Sequence, residues 1–149
     1  MESKDHVELL KCDVKNTPYY TLEGHVYICK CVKVYDGDTV TVVFMPKGLD
    51  KFYKYTIRLS GIDTPEIRTK NPNEKARAIV VRDFIREMIL GKLITIKCGK
   101  FDKYGRLMAN IFVNGESQSI NDLLIEKKYA YKYDGGTKKK YVEIVVEWN

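Results

Sequence analysis

A β-rich α+β domain built around a small barrel is the fold class this sequence predicts, and three observations predict it. Three consecutive strand-like segments between His25 and Ser60 are joined by short turns. A single strongly punctuated helix follows, and two further strand segments and a short second helix come after it. With 149 residues and 44% apolar composition, the chain has enough material for one domain with a real core and too little for two.

Residues 1–24 show no sustained period and contain Asn16-Thr17-Pro18, so they read as an N-terminal extension to a domain spanning 25–149. Leu9, Leu10, Tyr19 and Tyr20 are the residues expected to pack it onto that domain. The first strand is Val26 to Val34, rich in β-branched residues. Asp36-Gly37 is a hairpin turn signal, and Asp38 to Met45 alternates around Val40, Val42 and Phe44. A longer turn at Pro46 to Asp50 leads to a third strand, Phe52 to Ser60, alternating around Tyr53, Tyr55, Ile57 and Leu59. The helix start is explicit: Asn71 caps, Pro72 suits the first helical position, and Glu74 stands where it would close a capping box. Gly91 stops the helix, and Val80, Val81, Phe84, Ile85, Met88 and Ile89 form its apolar arc.

Two more strands are predicted at Leu93 to Cys98 and Leu107 to Val113, and then Ser119 caps a helix from Ile120 to about Lys128. Tyr131 to Lys140 reads as a loop, and Tyr141 to Trp148 as an apolar end that is either strand or helix. Five strands interrupted by one helix and followed by another match a five-stranded oligonucleotide-binding (OB-fold) barrel with two or more packed helices. An open α+β sheet is the alternative.

The formal net charge is +6. It is unevenly spread: residues 1–24 carry −2 and the remainder +8, so the positive charge belongs to the barrel. Such a domain suits a polyanionic partner through counterion release. The four cysteines accompany no hydrophobic leader segment, which leads to the expectation of an intracellular, reducing setting and buried or half-buried thiols. No apolar run approaches the roughly 20 residues of a membrane span, so no membrane partner is expected, and a monomer is the working state.

The chemistry concentrates in three blocks: Tyr35-Asp36-Gly37-Asp38-Thr39, Arg58-Leu59-Ser60-Gly61-Ile62-Asp63-Thr64-Pro65-Glu66 and Asp102-Lys103-Tyr104-Gly105-Arg106. Asp38 and Asp63, at neighbouring strand ends, can converge on one cation with the Thr64 carbonyl. Oxygen donors of this kind suit Ca²⁺ or Mg²⁺. The competing reading makes Asp36, Asp38 and Asp63 turn formers bonded to their own backbone. Arg58 and Arg106 can hold phosphate oxygens in bidentate fashion, or else pair with nearby acids such as Asp102. Glu66, behind the stiff Pro65, suits orienting or deprotonating a water. Lys103, Tyr104, Tyr131 and Tyr133 are cation and ring groups that suit a single nucleic-acid strand, as are Lys132 and Lys138 to Lys140.

Together these blocks, in this order and at this spacing, resemble the thermonuclease family typified by staphylococcal nuclease, over roughly residues 25 to 133. The resemblance implies Ca²⁺-dependent hydrolysis of DNA or RNA with little sequence preference, leaving 3′-phosphate ends. It implies calcium held by Asp38, Asp63 and the Thr64 carbonyl, with Asp36 in the outer shell. By the same token Arg58 and Arg106 bind the phosphate, Glu66 acts on water, and Lys103 and Tyr104 touch the nucleotide. The family also contains domains that lack acids or arginines and serve as nucleic-acid or protein-binding modules, which is the alternative function. Two departures are expected to affect substrate grip and stability: Ile67 to Pro72 is remodelled, and the region after Lys140 is short for the family's long final helix.

Overall fold

The computed structural model describes residues 4–136. Its elements run α1 (Lys4–Leu10), β1 (Val26–Asp36), β2 (Thr39–Phe44), β3 (Tyr53–Leu59), β4 (Ile62–Asp63), α2 (Pro72–Ile89), β5 (Leu93–Phe101), β6 (Leu107–Val113), α3 (Ile120–Glu126) and β7 (Tyr131–Lys132). Five strands close into a barrel in the order β1-β2-β3-β6-β5, the OB-type architecture, while β4 and β7 form a separate two-stranded ribbon. Every barrel pairing is antiparallel except β3 with β6.

That parallel junction is the shortest of the barrel, running only from Ile57 opposite Leu107 to Leu59 opposite Ala109. Asn121, buried at the start of α3, reinforces it: its amide donates to the carbonyls of Ser60 (2.9 Å) and Ala109 (3.2 Å) and accepts from the Ile111 N–H (3.1 Å). A buried side chain using both its donor and acceptor atoms in this way ties the backbone of β6 and of the segment after β3 to the start of α3.

The core fills from the alternation. Val40, Val42 and Phe44 of β2 meet Ile57 and Leu59 of β3, Ile94 and Ile96 of β5, and Leu107 and Ile111 of β6, all buried. Helix α2 covers one end with Ala78, Val81, Ile85 and Ile89. Val80 departs from the predicted arc and is exposed, because the buried stripe follows 78-81-85-89 and 80 falls beside it. Cys29, Cys31 and Cys98 are buried free thiols, and burial raises Cys29 to about 12 and Cys98 to about 11. They are packing groups, whereas Cys12, against the expectation, is exposed.

The extension differs from expectation. Lys4–Leu10 is helical yet buries no residue, and Leu9, Leu10, Tyr19 and Tyr20 all face solvent. Leu22, 1% exposed, is the residue that anchors this segment in the core. The predicted loop from Tyr131 begins with β7, which pairs Tyr131 with Asp63 and Lys132 with Ile62. The apolar end Tyr141 to Trp148, and Lys138 to Lys140, lie outside the described residues.

Candidate active site

Strand register brings the acids and Arg58 together. Thr39 pairs with Arg58 across β2 and β3, and the Leu59 N–H donates to the Asp38 carbonyl at 2.9 Å, so the turn preceding β2 sits beside Arg58. That turn is tight because Gly37 packs against α2: a Cβ there would lie 2.4 Å from Val81 Cγ1 and about as close as 3.1 Å to Thr64 Cγ2. Any other residue type there would force the Val81 side chain to shift. Gly61, at φ +75°, reverses the chain after β3 and returns Ile62 and Asp63 toward Arg58.

Arg58, Asp38 and Asp63 are each 5% exposed or less. The guanidinium Nη1 donates to the carbonyls of Leu59 (3.0 Å) and Ile62 (2.9 Å). Its Nη2 lies 3.2 Å from Asp63 Oδ1 and 3.4 Å from Asp38 Oδ2. Asp38 Oδ2 also accepts from the Thr64 N–H (3.1 Å), and its Oδ1 from the Thr39 hydroxyl (3.1 Å). The Tyr131 hydroxyl donates to Asp63 Oδ2. Burial, followed by the neighbouring Asp36 charge, pushes the Asp38 carboxyl above the usual carboxylate range, and Arg58 opposes this. Asp36 itself accepts the Asp38 N–H through Oδ1 (3.2 Å), an Asx-type turn.

These contacts fit an oxygen-coordinated cation. With both carboxylates ionised against one guanidinium, the buried cluster would carry a net negative charge, which is costly without a further cation. The Thr64 Oγ1 atom is buried beside them without a hydrogen-bond partner. Among the described residues, no three His, Cys, Asp or Glu side chains form a metal-binding group. A cation here would therefore rely on two carboxylates, carbonyl or hydroxyl oxygens and water, which is hard-ion chemistry.

The remaining groups come from loops. An open cleft of about 260 Å³ is lined by Asp38, Asp63, Thr64, Glu66 and both Arg58 and Arg106. Glu66 is exposed, and its N–H donates to Glu74 Oε2 (3.2 Å). Arg106 Nε pairs with Asp102 Oδ2 at 2.6 Å, and the guanidinium lies 5.4 Å from the Tyr104 ring centroid. Burial would raise the Asp102 carboxyl, but bonds from the Arg106 backbone, the Arg106 side chain and the Tyr104 N–H outweigh it and hold Asp102 below the usual range. The ion pair foreseen for Arg106 thus coexists with a place in the cleft.

A second cleft, about 580 Å³, adjoins the first and shares Arg58 and Arg106 with it; Lys103, Tyr104 and Tyr133 line its other walls. Tyr131 stands apart from the other proposed strand-binding rings. It is buried against Asp63 and supports that carboxylate, leaving Tyr104 and Tyr133 as the rings available to a strand.

Sequence reasoning missed two contributors. Glu74 does not complete the capping box: Asn71 Oδ1 accepts from Asn73 and Glu74 N–H groups, but the Glu74 carboxylate turns to the Thr69 hydroxyl (2.6 Å) and the Glu66 N–H. Arg68 lines the first cleft. Only its position two residues beyond Glu66 could have pointed to it.

Fold and site together define a five-stranded barrel with an acid–arginine cleft at its rim. The family model for staphylococcal nuclease homologues matches residues 56–147, and the chain belongs to that family. The match includes Arg58, Asp63, Glu66 and Arg106, and begins after Asp36 and Asp38. The chain is similar to an uncharacterized protein of Methanocaldococcus jannaschii (33% identical, over 72% of this chain and 59% of that protein). It is also similar to endonuclease YncB of Bacillus subtilis (35%, over 69% and 48%) and to staphylococcal-like nuclease CAN1 of Arabidopsis thaliana (34%, over 54% and 22%). The chain thus spans less than two thirds of the length of each of these relatives. Among the described residues, no helix is long and apolar enough to cross a membrane.

Proposed function

We propose that this chain is a phosphodiesterase that hydrolyses DNA or RNA, dependent on Ca²⁺ or a similar hard cation, with little sequence preference. The observation that carries this reading is the convergence of Asp38, Asp63, Glu66, Arg58 and Arg106 on one cleft. Family membership and the endonuclease and nuclease names of two relatives support it.

Asp38, Asp63 and the Thr64 carbonyl would hold the cation, with Asp36 in the outer shell. When bound, the cation supplies positive charge against a phosphate oxygen and lowers the repulsion met by an incoming nucleophile. Arg106 carries N–H groups beyond the Nε used by Asp102, and these bind the phosphate. Arg58, fixed by two carbonyls and two carboxylates, contributes charge from a set position as negative charge builds on the five-coordinate phosphorus. Glu66 orients a water and takes its proton as the new P–O bond forms. The P–O5′ bond breaks, the departing oxygen is protonated from solvent, and a 3′-phosphate remains. Lys103, Tyr104 and Tyr133 hold the adjoining nucleotide by charge and stacking, which favours single strands. Phosphates and base faces, not base edges, make the contacts, hence the weak sequence preference.

The test is incubation of the full chain with single-stranded DNA and RNA in Ca²⁺, in Mg²⁺ and with chelator, followed by analysis of the product ends. Chelator-sensitive cleavage with 3′-phosphate ends is expected. Salt-dependent binding without cleavage in any metal would overturn the enzyme and leave a nucleic-acid-binding module.

A further inference from the structure

We propose that Arg68 is a second phosphate anchor, gripping the backbone phosphate next to the scissile one on the side away from Tyr104. The inference rests on the nuclease reading and extends it from one phosphodiester to a polynucleotide. The two clefts meet at Arg58 and Arg106, which line both. Tyr104, Lys103 and Tyr133 line the second cleft and not the first, and Arg68 lines the first and not the second. A strand that runs from the second cleft through the junction into the first comes within reach of Arg68, which lines the first.

The three arginines of the first cleft differ in their commitments. Arg58 is buried between Asp38 and Asp63, and Arg106 is bound to Asp102. Arg68 is exposed, and its guanidinium makes no hydrogen bond or ion pair among the described residues. It is the cleft arginine with its full set of donors available, and a planar guanidinium matches two phosphate oxygens at once.

Its loop is also held in place. Glu74 accepts the Glu66 N–H and the Thr69 hydroxyl, Thr69 Oγ1 accepts the Asn71 N–H (3.2 Å), and Asn71 caps α2. Arg68 lies between the two residues that Glu74 ties to the helix. A fixed backbone lowers the ordering cost of the grip. Lys70, exposed on the same loop, does not line the cleft and provides an internal control for the loss of one charge.

The experiment measures binding of a single-stranded oligonucleotide as a function of salt in Ca²⁺, together with cleavage of that oligonucleotide and of a dinucleotide holding one phosphodiester. Wild type, Arg68→Ala, Arg68→Lys and Lys70→Ala are compared. Arg68→Ala is expected to lower the slope of log affinity against log salt by about 0.7, the value for one phosphate contact on a single strand. Its KM for the oligonucleotide should rise about fivefold to tenfold with kcat held, as for loss of uniform binding, while the dinucleotide is cleaved as by wild type. Arg68→Lys should restore the slope but only part of the KM. If Arg68→Ala matches Lys70→Ala, or slows the dinucleotide as much as the oligonucleotide, the anchor is refuted and the nuclease reading survives. If wild type neither binds nor cleaves the oligonucleotide, both fall together.

Discussion

The two halves of the candidate site are built differently. Asp38, Arg58, Asp63 and Thr64 are buried, come from strand ends, and are tied to one another and to the backbone within 3.4 Å. Glu66, Arg68, Lys103, Tyr104 and Arg106 are exposed or half-buried, sit on loops or at a strand entrance, and face an open cleft. The first half is part of the barrel's own stability, whereas the second is attached to it. Substitutions should therefore separate: damage to the buried half ought to cost stability and activity together, and damage to the loop half activity alone.

Arg58→Ala is the most severe break. It leaves two carboxylates buried without their cationic partner, and a loss of about 3–5 kcal/mol in urea unfolding is expected. Turnover should fall at least about a hundredfold as well. Arg106→Ala should match that kinetic loss while changing stability by less than about 1 kcal/mol, as expected of a partly exposed ion pair. Equal destabilisation by the two variants would erase the distinction between the halves.

Tyr131→Phe probes the support beneath Asp63. Removing a buried hydroxyl that donates to a carboxylate should cost about 2 kcal/mol, read by chemical denaturation, and should alter the metal concentration needed for cleavage. Unchanged stability would place that hydroxyl outside the buried framework. The smallest expected effect is a pH dependence at Asp102. Its folded carboxyl titrates below its unfolded value, so its contribution is complete above the unfolded pKa of about 3.9 and is lost as pH falls through the folded value. The stability gap between wild type and Asp102→Asn should thus shrink below about pH 4, and a gap that widens there would reverse the assignment.

The same division governs what was legible in the sequence. Barrel strands and α2 declare themselves because burial of one face imposes a period, and the Asn71-Pro72 start and Gly91 stop are local backbone chemistry. The acids and arginines were legible as blocks, since tight turns and strand ends fix their spacing. Two-residue strands such as β4 and β7 have no period to detect, so the ribbon that joins Tyr131 to Asp63 was invisible. Helix α1 buries nothing, which removes the amphipathic signal, and Leu22 is a lone anchor in a polar stretch. Sequence spacing points Glu74 to a local cap because it cannot show a competing partner eight residues upstream. Arg68 carries no pattern at all; only the shape of the cleft singles it out.

The central claim, that the buried half is a cation site, is tested most directly by calorimetric titration of Ca²⁺ into wild type and Asp63→Asn, with folding of both checked by circular dichroism. One site per chain in the wild type, and heats reduced to the dilution level in folded Asp63→Asn, is the predicted result. Undiminished one-to-one binding in Asp63→Asn, or none in the wild type, would contradict it.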